Sequence, residues 1–207
     1  MIQLDNFVDG VSIHLGTQTA GSVPRTAVIF AARQAVKQFC DDSLAYIVRA
    51  SDDPQKNNAI TDTSRVFMMR QGTNCQLALP RNTFIKKVWQ LSDGCCGRKA
   101  LNKATHNYPN VIELFNEKDK ADDVVVSLSI NQSALECPDF IYHEYYDGIL
   151  SGTICYLQAM PNREWAAPNF SQYHQQQFEQ AIKDARKAVD DGFCKARSNS
   201  TIPAKFQ

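Results

Sequence analysis

The chain has 207 residues, which is enough for one ordinary domain, or for one domain with an insertion, with a substantial core. Its 22 lysines and arginines balance 22 aspartates and glutamates, so no strong overall field attracts it to nucleic acid or anionic lipid. With 43% hydrophobic and 21% charged residues, the composition is typical of a folded protein and argues against a disordered one. No apolar run approaches the ~20 residues of a membrane helix. The first ten residues carry acids where a secretory signal carries lysine or arginine, so we expect a protein kept in a reducing cytoplasm.

The cysteine pattern predicts free thiols. The count of seven is odd, no CxxC pair occurs, and no cysteine stands at zinc-finger spacing from a histidine. We therefore expect no structural metal and no cofactor, and we expect most thiols to be buried as small apolar groups.

Two helices are predicted at the start of the chain. Leu4, Phe7, Val8 and Val11 recur at spacings of three and four, and glycines then interrupt the pattern. A second periodic stretch follows Pro24, a residue that suits the first turn of a helix because its missing N–H would be unpaired there. Its apolar face is Val28, Ala31, Ala32, Ala35, Val36 and Phe39.

The middle of the chain predicts strands. Six short runs rich in β-branched and aromatic residues are separated by polar clusters, and the alternation is clearest in Val124, Val126, Leu128 and Ile130. Because each connection is too short for a crossover helix, we expect an antiparallel meander or small sandwich. Neither GxGxxG nor GxxxxGK[ST] occurs, so no glycine loop is expected to bind a phosphate.

Helical periodicity returns after Pro138 and predicts one helix running to Met160, where Pro161 stops it. Gly148 and Gly152 lie on one side of this helix, which lets another helix approach closely, within the subunit or between subunits. A last helix is predicted from Phe170 to Arg197.

The predicted fold is therefore α+β. An antiparallel helical bundle is formed by residues 1–42 and 136–195, an antiparallel β insertion covers residues 43–135, and residues 196–207 form an extended tail. The tail has little to bury except Ile202 and Phe206, so we expect it to order only against a partner.

Candidate catalytic residues are sparse. Histidines 14, 106, 143 and 174 lie in no HExxH or nucleophile motif. The most enzyme-like segment is HEYYD, from His143 to Asp147, but it equally describes a solvated acidic face. Cys95 and Cys96 lie in a glycine-flanked turn beside Arg98 and Lys99, where positive charge lowers a thiol pKa, although a flexible hairpin tip explains the turn more simply.

Two groups of basic residues are candidates for contact with DNA, because phosphate contacts need only positive charge. Acids at positions 184, 190 and 191 dilute the second group. The groups are Lys86, Lys87, Arg98, Lys99 and Lys103, and Lys183, Arg186, Lys187, Lys195 and Arg197.

The order of the segments resembles the head-to-tail adaptor (connector) proteins of tailed bacteriophages. The N-terminal VPRTAVIFAARQAVKQFCDDSLAYI pairs a proline-led, alanine-rich helix with a first strand. The C-terminal PDFIYHEYYDGILSGTICYLQAMPNREWAAP and YHQQQFEQAIKDARKAVDDGF give a small-residue helix, a Met-Pro stop, a tryptophan loop and a last helix. The similarity covers nearly the whole chain in order and is weakest in the central strands.

The resemblance implies a non-enzymatic structural protein of the virion, located at the head–tail junction and assembled in the bacterial cytoplasm. It implies a homo-oligomeric ring, a dodecamer, that joins the portal protein to a tail or nozzle protein and extends the DNA channel used in genome ejection. By position, the portal-contacting tail is Ile202, Pro203, Ala204, Lys205, Phe206 and Gln207. Transient, non-specific contact with double-stranded DNA is expected, and no membrane contact. The alternatives are a cytosolic α+β protein-binding module and an enzyme that uses Cys40, Cys155 or His143.

Overall fold

The computed structural model describes residues 1–16, 23–49, 63–70, 73–80, 82–91, 98–100, 104–107, 111–114 and 124–192. It contains both helices and small sheets, so the α+β class is confirmed. Among the described residues, none of the helices combines the length and apolarity needed to span a bilayer.

Helices predominate before residue 47 and after residue 137 in the described chain. A 3-10 helix at Leu4–Phe7 leads into the first α-helix. The α-helices are α1 (Val8–Gly16), α2 (Arg25–Ser43), α3 (Asp139–Glu144), α4 (Tyr146–Gln158) and α5 (Pro168–Gly192).

The strands lie at the N-terminus and between α2 and α3. All six predicted strands are present, and the structure adds β1, β6, β7 and β10. The strands are β1 (Ile2–Gln3), β2 (Ile47–Arg49), β3 (Thr63–Arg70), β4 (Thr73–Pro80), β5 (Thr83–Leu91), β6 (Arg98–Ala100), β7 (Ala104–Asn107), β8 (Val111–Leu114), β9 (Val124–Ile130) and β10 (Glu136–Cys137).

The described strands form three sheets, in the orders β1-β10, β2-β9-β5-β6 and β4-β3-β8-β7. The expectation of a wholly antiparallel β region is wrong at one pair, because β3 and β8 run parallel, with Phe67 opposite Val111. Short connections exclude parallel pairing only between consecutive strands. Four strands separate β3 from β8, so the chain reverses direction several times and returns parallel without a crossover helix.

The helix predicted after Pro24 is present as α2, and both of its ends are well defined. Pro24 precedes the first turn, and Leu44 ends the helix in the left-handed conformation (φ 56°). The Leu44 N–H donates to Cys40 O at 3.1 Å, and Ser43 Oγ donates to Phe39 O at 2.6 Å. These bonds satisfy carbonyl groups that a helix end leaves without a partner.

The single helix expected after Pro138 is in fact two, with a break at Tyr145 (φ −125°, ψ 21°) between α3 and α4. Hydrogen bonding continues across the break, since Tyr145 N donates to Ile141 O and Ile149 N donates to Tyr145 O, both at 3.0 Å. The Tyr145 ring lies 4.9 Å from the Phe39 ring, centroid to centroid. The apolar spacing survives the break, which is why sequence periodicity alone does not reveal it.

The main hydrophobic core lies between the helices and the sheet β2-β9-β5-β6, which we call the middle sheet. The side chains of Val126, Leu128 and Ile130 on β9 are fully buried, but so are those of Ser127 and Ser129 between them, so both faces of β9 are covered. Val126, Leu128 and Ile130 belong to one cluster with Phe39 of α2 and Phe178 of α5. A second cluster packs α1, the start of α2 and the end of α4 around Trp165. The proposed division at residues 43 and 135 remains a prediction, but helix and sheet residues share this core.

The glycines of α4 make the predicted close helix contact, and it is with α5 of the same chain. A Cβ at position 148 would overlap the Cβ of Ala181, and one at position 152 would lie 2.8 Å from the Phe178 ring. As positions along α4 increase, those along α5 decrease, so the two helices are antiparallel.

Candidate functional site

The predicted portal-contacting residues, Ile202 to Gln207, lie outside the described residues, as do Cys95, Cys96 and Lys103. The tail assignment therefore stays a prediction, and the candidate surfaces below come from the helices and the middle sheet.

The HEYYD segment is divided by the break at Tyr145. His143, Glu144 and Asp147 are exposed, whereas Tyr145 and Tyr146 are half-buried. The Tyr146 ring stacks on Phe7 with centroids 5.2 Å apart. Burial raises the pKa of both Tyr145 and Tyr146, so these phenols stay protonated at neutral pH. The segment therefore presents a solvated acidic edge and packs its half-buried tyrosines against the core.

The three cysteines whose side chains the structure describes are placed as apolar residues. Cys40 and Cys137 are buried free thiols, and Cys155 is half-buried. Burial raises the pKa of Cys137 to about 12 and also raises the pKa values of Cys40 and Cys155. Because the thiolate is the reactive form, these environments oppose nucleophilic chemistry. Within the described ranges, no three His, Cys, Asp or Glu side chains come together as a metal site.

Three of the predicted basic residues have identified neighbours, whereas Lys195 and Arg197 lie outside the described residues. Lys86 Nζ lies 3.4 Å from Asp41 Oδ1, and Lys87 Nζ lies 5.5 Å from the Trp89 ring centroid. Arg186 Nε lies 3.5 Å from Asp190, which offsets its charge within α5. Arg186 also donates through a terminal guanidinium nitrogen to Asp42 O at 3.3 Å. Both predicted groups therefore reach the end of α2, Lys86 through the Asp41 carboxylate and Arg186 through a backbone carbonyl.

The sequence interpretation missed the partners of Lys86. Lys37 donates to Asp41 Oδ2 at 2.7 Å, so one carboxylate holds two ammonium groups. Arg33 lies one turn before Lys37 and donates through Nε to Ala134 O at 2.7 Å. The spacing of Arg33, Lys37 and Asp41 at intervals of four shows that they share a helix face. No sequence pattern predicts that Lys86, which lies on a distant strand, is close to these residues.

A second candidate surface is apolar and takes residues from α1 and α5. Ile13 is 72% exposed, Phe170 56% and Tyr173 60%. Burial lowers the pKa of His174, which follows Tyr173 on α5, and the charge of His14, which follows Ile13 on α1, lowers it further. The Tyr173 ring packs edge-on against His174, with centroids 5.3 Å apart. We call Ile13, Phe170 and Tyr173 the α1–α5 corner.

No protein-family model matches the chain, and a search of the curated proteins finds no similar sequence.

Proposed function

We propose that the chain is a structural subunit of a bacteriophage head-to-tail adaptor, an oligomeric ring, a dodecamer by analogy, that joins the portal to the tail. It would act in the virion at the head–tail junction, without catalysis or cofactor. Its partners would be further copies of itself, the portal protein, a tail or nozzle protein and the DNA that passes through the ring. The helices would form the antiparallel bundle, the strands its insertion and residues 196–207 its extended tail.

The α1–α5 corner is the observation that supports this proposal most strongly. Three large apolar side chains from two helices are each more than half exposed. Phe170 and Tyr173 lie three residues apart on α5, which places them on one face of the helix. Isolated exposed apolar residues are ordinary, but neighbouring ones mark a surface for another protein. In a closed ring such groups are covered by identical neighbours. The same corner would also suit a protein-binding module, so assembly is the property to measure.

Imaging of the purified chain tests ring formation. Negative-stain microscopy and size-exclusion chromatography, with and without a portal ring, should show a closed ring on the portal. The double variant Ile13→Asp, Tyr173→Asp should stay monomeric with unchanged circular dichroism. Leu135→Asp, which alters an exposed apolar residue elsewhere (58% exposed), is the matched control. A wild-type chain that stays monomeric with the portal present contradicts the proposal.

Deletion of residues 196–207 tests the tail. The truncated chain should keep the circular dichroism spectrum of the full chain and lose portal binding. Unchanged portal binding would reject the role of Ile202 to Gln207 and leave the ring proposal standing.

A further inference from the structure

Three cations converge on one side of α2. Arg33 and Lys37 lie four residues apart on the helix, which places them on one face about 6 Å apart along its axis. Lys86 of β5 joins them through Asp41, whose two carboxylate oxygens contact the two lysines. We call Arg33, Lys37 and Lys86 the α2–β5 basic strip. With Asp41 included, it carries three positive charges and one negative charge.

The lysine side chains of the strip are more exposed than the Asp41 carboxylate, so the positive charge faces the solvent. The Lys86 side chain is 41% exposed and that of Lys37 27%, whereas Asp41 is only 16% exposed. The carboxylate thus lies beneath the ammonium groups and fixes them. Burial alone would raise the pKa of Asp41, but hydrogen bonding to Lys37 and Ser129 and the charges of Lys37 and Lys86 outweigh it and lower the pKa. Asp41 therefore stays ionised at neutral pH, with a hydrogen bond from Lys37 and an ion pair to Lys86 at 3.4 Å.

Neighbouring groups position the cations further. Lys37 Nζ lies 5.7 Å from the centroid of the Phe84 ring. The Nε of Arg33 is fixed by Ala134 O, and among the described residues Arg33 has no carboxylate within ion-pair distance. Side chains that are already ordered lose less conformational entropy when they bind a ligand. The cations of the α2–β5 basic strip can therefore bind an anion with little further loss of conformational entropy.

We propose that the α2–β5 basic strip binds the phosphate backbone of double-stranded DNA. Arg33 and Lys37 are spaced along one face of α2, and Lys86 adjoins them from β5 through Asp41, so several positive charges can meet successive phosphates of a polyanion. Such contacts need positive charge alone and carry no sequence preference. The inference rests on the proposed function, since it names the surface that would face DNA in an adaptor ring, but its test needs no ring.

The test compares two double variants with the same loss of charge. Arg33→Gln, Lys86→Gln removes two cations of the strip and keeps the Lys37–Asp41 pair. Lys183→Gln, Lys187→Gln removes two exposed cations of α5 and is the matched control. Binding of the full-length chain to a fluorescent duplex is measured by anisotropy at salt concentrations from about 50 to 200 mM. Thermal melts check that each variant is folded.

We expect the strip variant to bind about tenfold more weakly than the wild type and the control variant less than threefold more weakly. The slope of log affinity against log salt should fall by about 2 in the strip variant, because two phosphate contacts are lost. Lys86→Arg, which keeps the charge, should bind like the wild type. Equal losses in the two double variants, or no binding of the wild type at about 50 mM salt, overturn the proposal.

Other anions separate DNA from competing partners. Polyglutamate and vesicles with anionic lipid are titrated in place of the duplex. The assignment to DNA is overturned if the wild type binds polyglutamate or the vesicles more tightly than the duplex and the strip variant loses that binding. Ring formation without DNA binding refutes the strip alone, whereas DNA binding without rings refutes the adaptor proposal and leaves the anion site intact.

Discussion

Gly148 of α4 lies directly against Ala181 of α5, with no room for a side chain between the two helices. One turn further along α4, Gly152 lies against the ring of Phe178, a residue that is 3% exposed in the main core. The contact therefore sets the distance between α4 and α5 and connects it to the packing around Phe178.

Gly152→Ala should destabilise the protein although alanine favours helix. Helix propensity gains up to about 1 kcal/mol from the change, whereas forcing a methyl group into a filled contact costs about 1 to 3 kcal/mol. We expect a net loss of about 1 kcal/mol in the free energy of unfolding, measured by urea denaturation.

Ser151→Ala, next to Gly152 on the same helix, is the control for propensity and should change stability by less than about 0.5 kcal/mol. A Gly152→Ala protein as stable as the wild type would show that α5 moves away from α4 at little cost.

The glycine contact also shows what sequence can predict here. The spacing of Gly148 and Gly152 predicts a close approach because a helix places every fourth residue on one side. It does not identify Ala181 and Phe178, since that pairing depends on how α5 returns along α4. The parallel β3–β8 pair and the Lys86–Asp41 contact cannot be predicted from the sequence for the same reason. Each joins segments distant in the chain, whereas Arg33, Lys37 and Asp41 follow from local helix geometry.

The buried thiols should resist alkylation in the native protein. Cys40 and Cys137 are fully buried, and burial raises their pKa values, so both access and thiolate formation are suppressed. Iodoacetamide labelling followed by peptide mass spectrometry should show Cys155, which is half-buried, modified well before them.

In denaturant all three cysteines should be modified at similar rates, which is the control for intrinsic reactivity. Native labelling of Cys40 as fast as that of Cys155 would mean that α2 opens away from β10 often.

Asp41→Asn should lower the free energy of unfolding at neutral pH and make that free energy depend less on pH in the acidic range. The folded-state pKa of Asp41 lies below the unfolded value of about 3.9, so the carboxylate stabilises the fold above that value. This contribution is lost as the pH falls through the folded-state pKa. We expect a loss of about 1 kcal/mol at pH 7, measured by urea denaturation, and a difference between variant and wild type that shrinks as the pH falls below about 3.9.

Asp147→Asn, which alters an exposed carboxylate of α4, is the matched control and should leave the pH profile close to that of the wild type. An Asp41→Asn profile parallel to the wild type between pH 2 and pH 5 would show that Asp41 does not stabilise the fold through its ionised form.

Protonation of His174 in mild acid should lower the stability of the folded protein. Burial lowers its pKa from 6.5, the charge of His14 lowers it further, and within the described region its buried Nδ1 has no hydrogen-bond partner. A lowered histidine pKa means that stability is complete above the unfolded value and is lost as the pH falls through the folded one. NMR titration should therefore show His174 titrating below 6.5, and His14→Gln should move its pKa upward. His143→Gln, at an exposed position, should leave it unchanged. A His174 pKa unaffected by His14→Gln would place the two helix ends further apart than the α1–α5 corner requires.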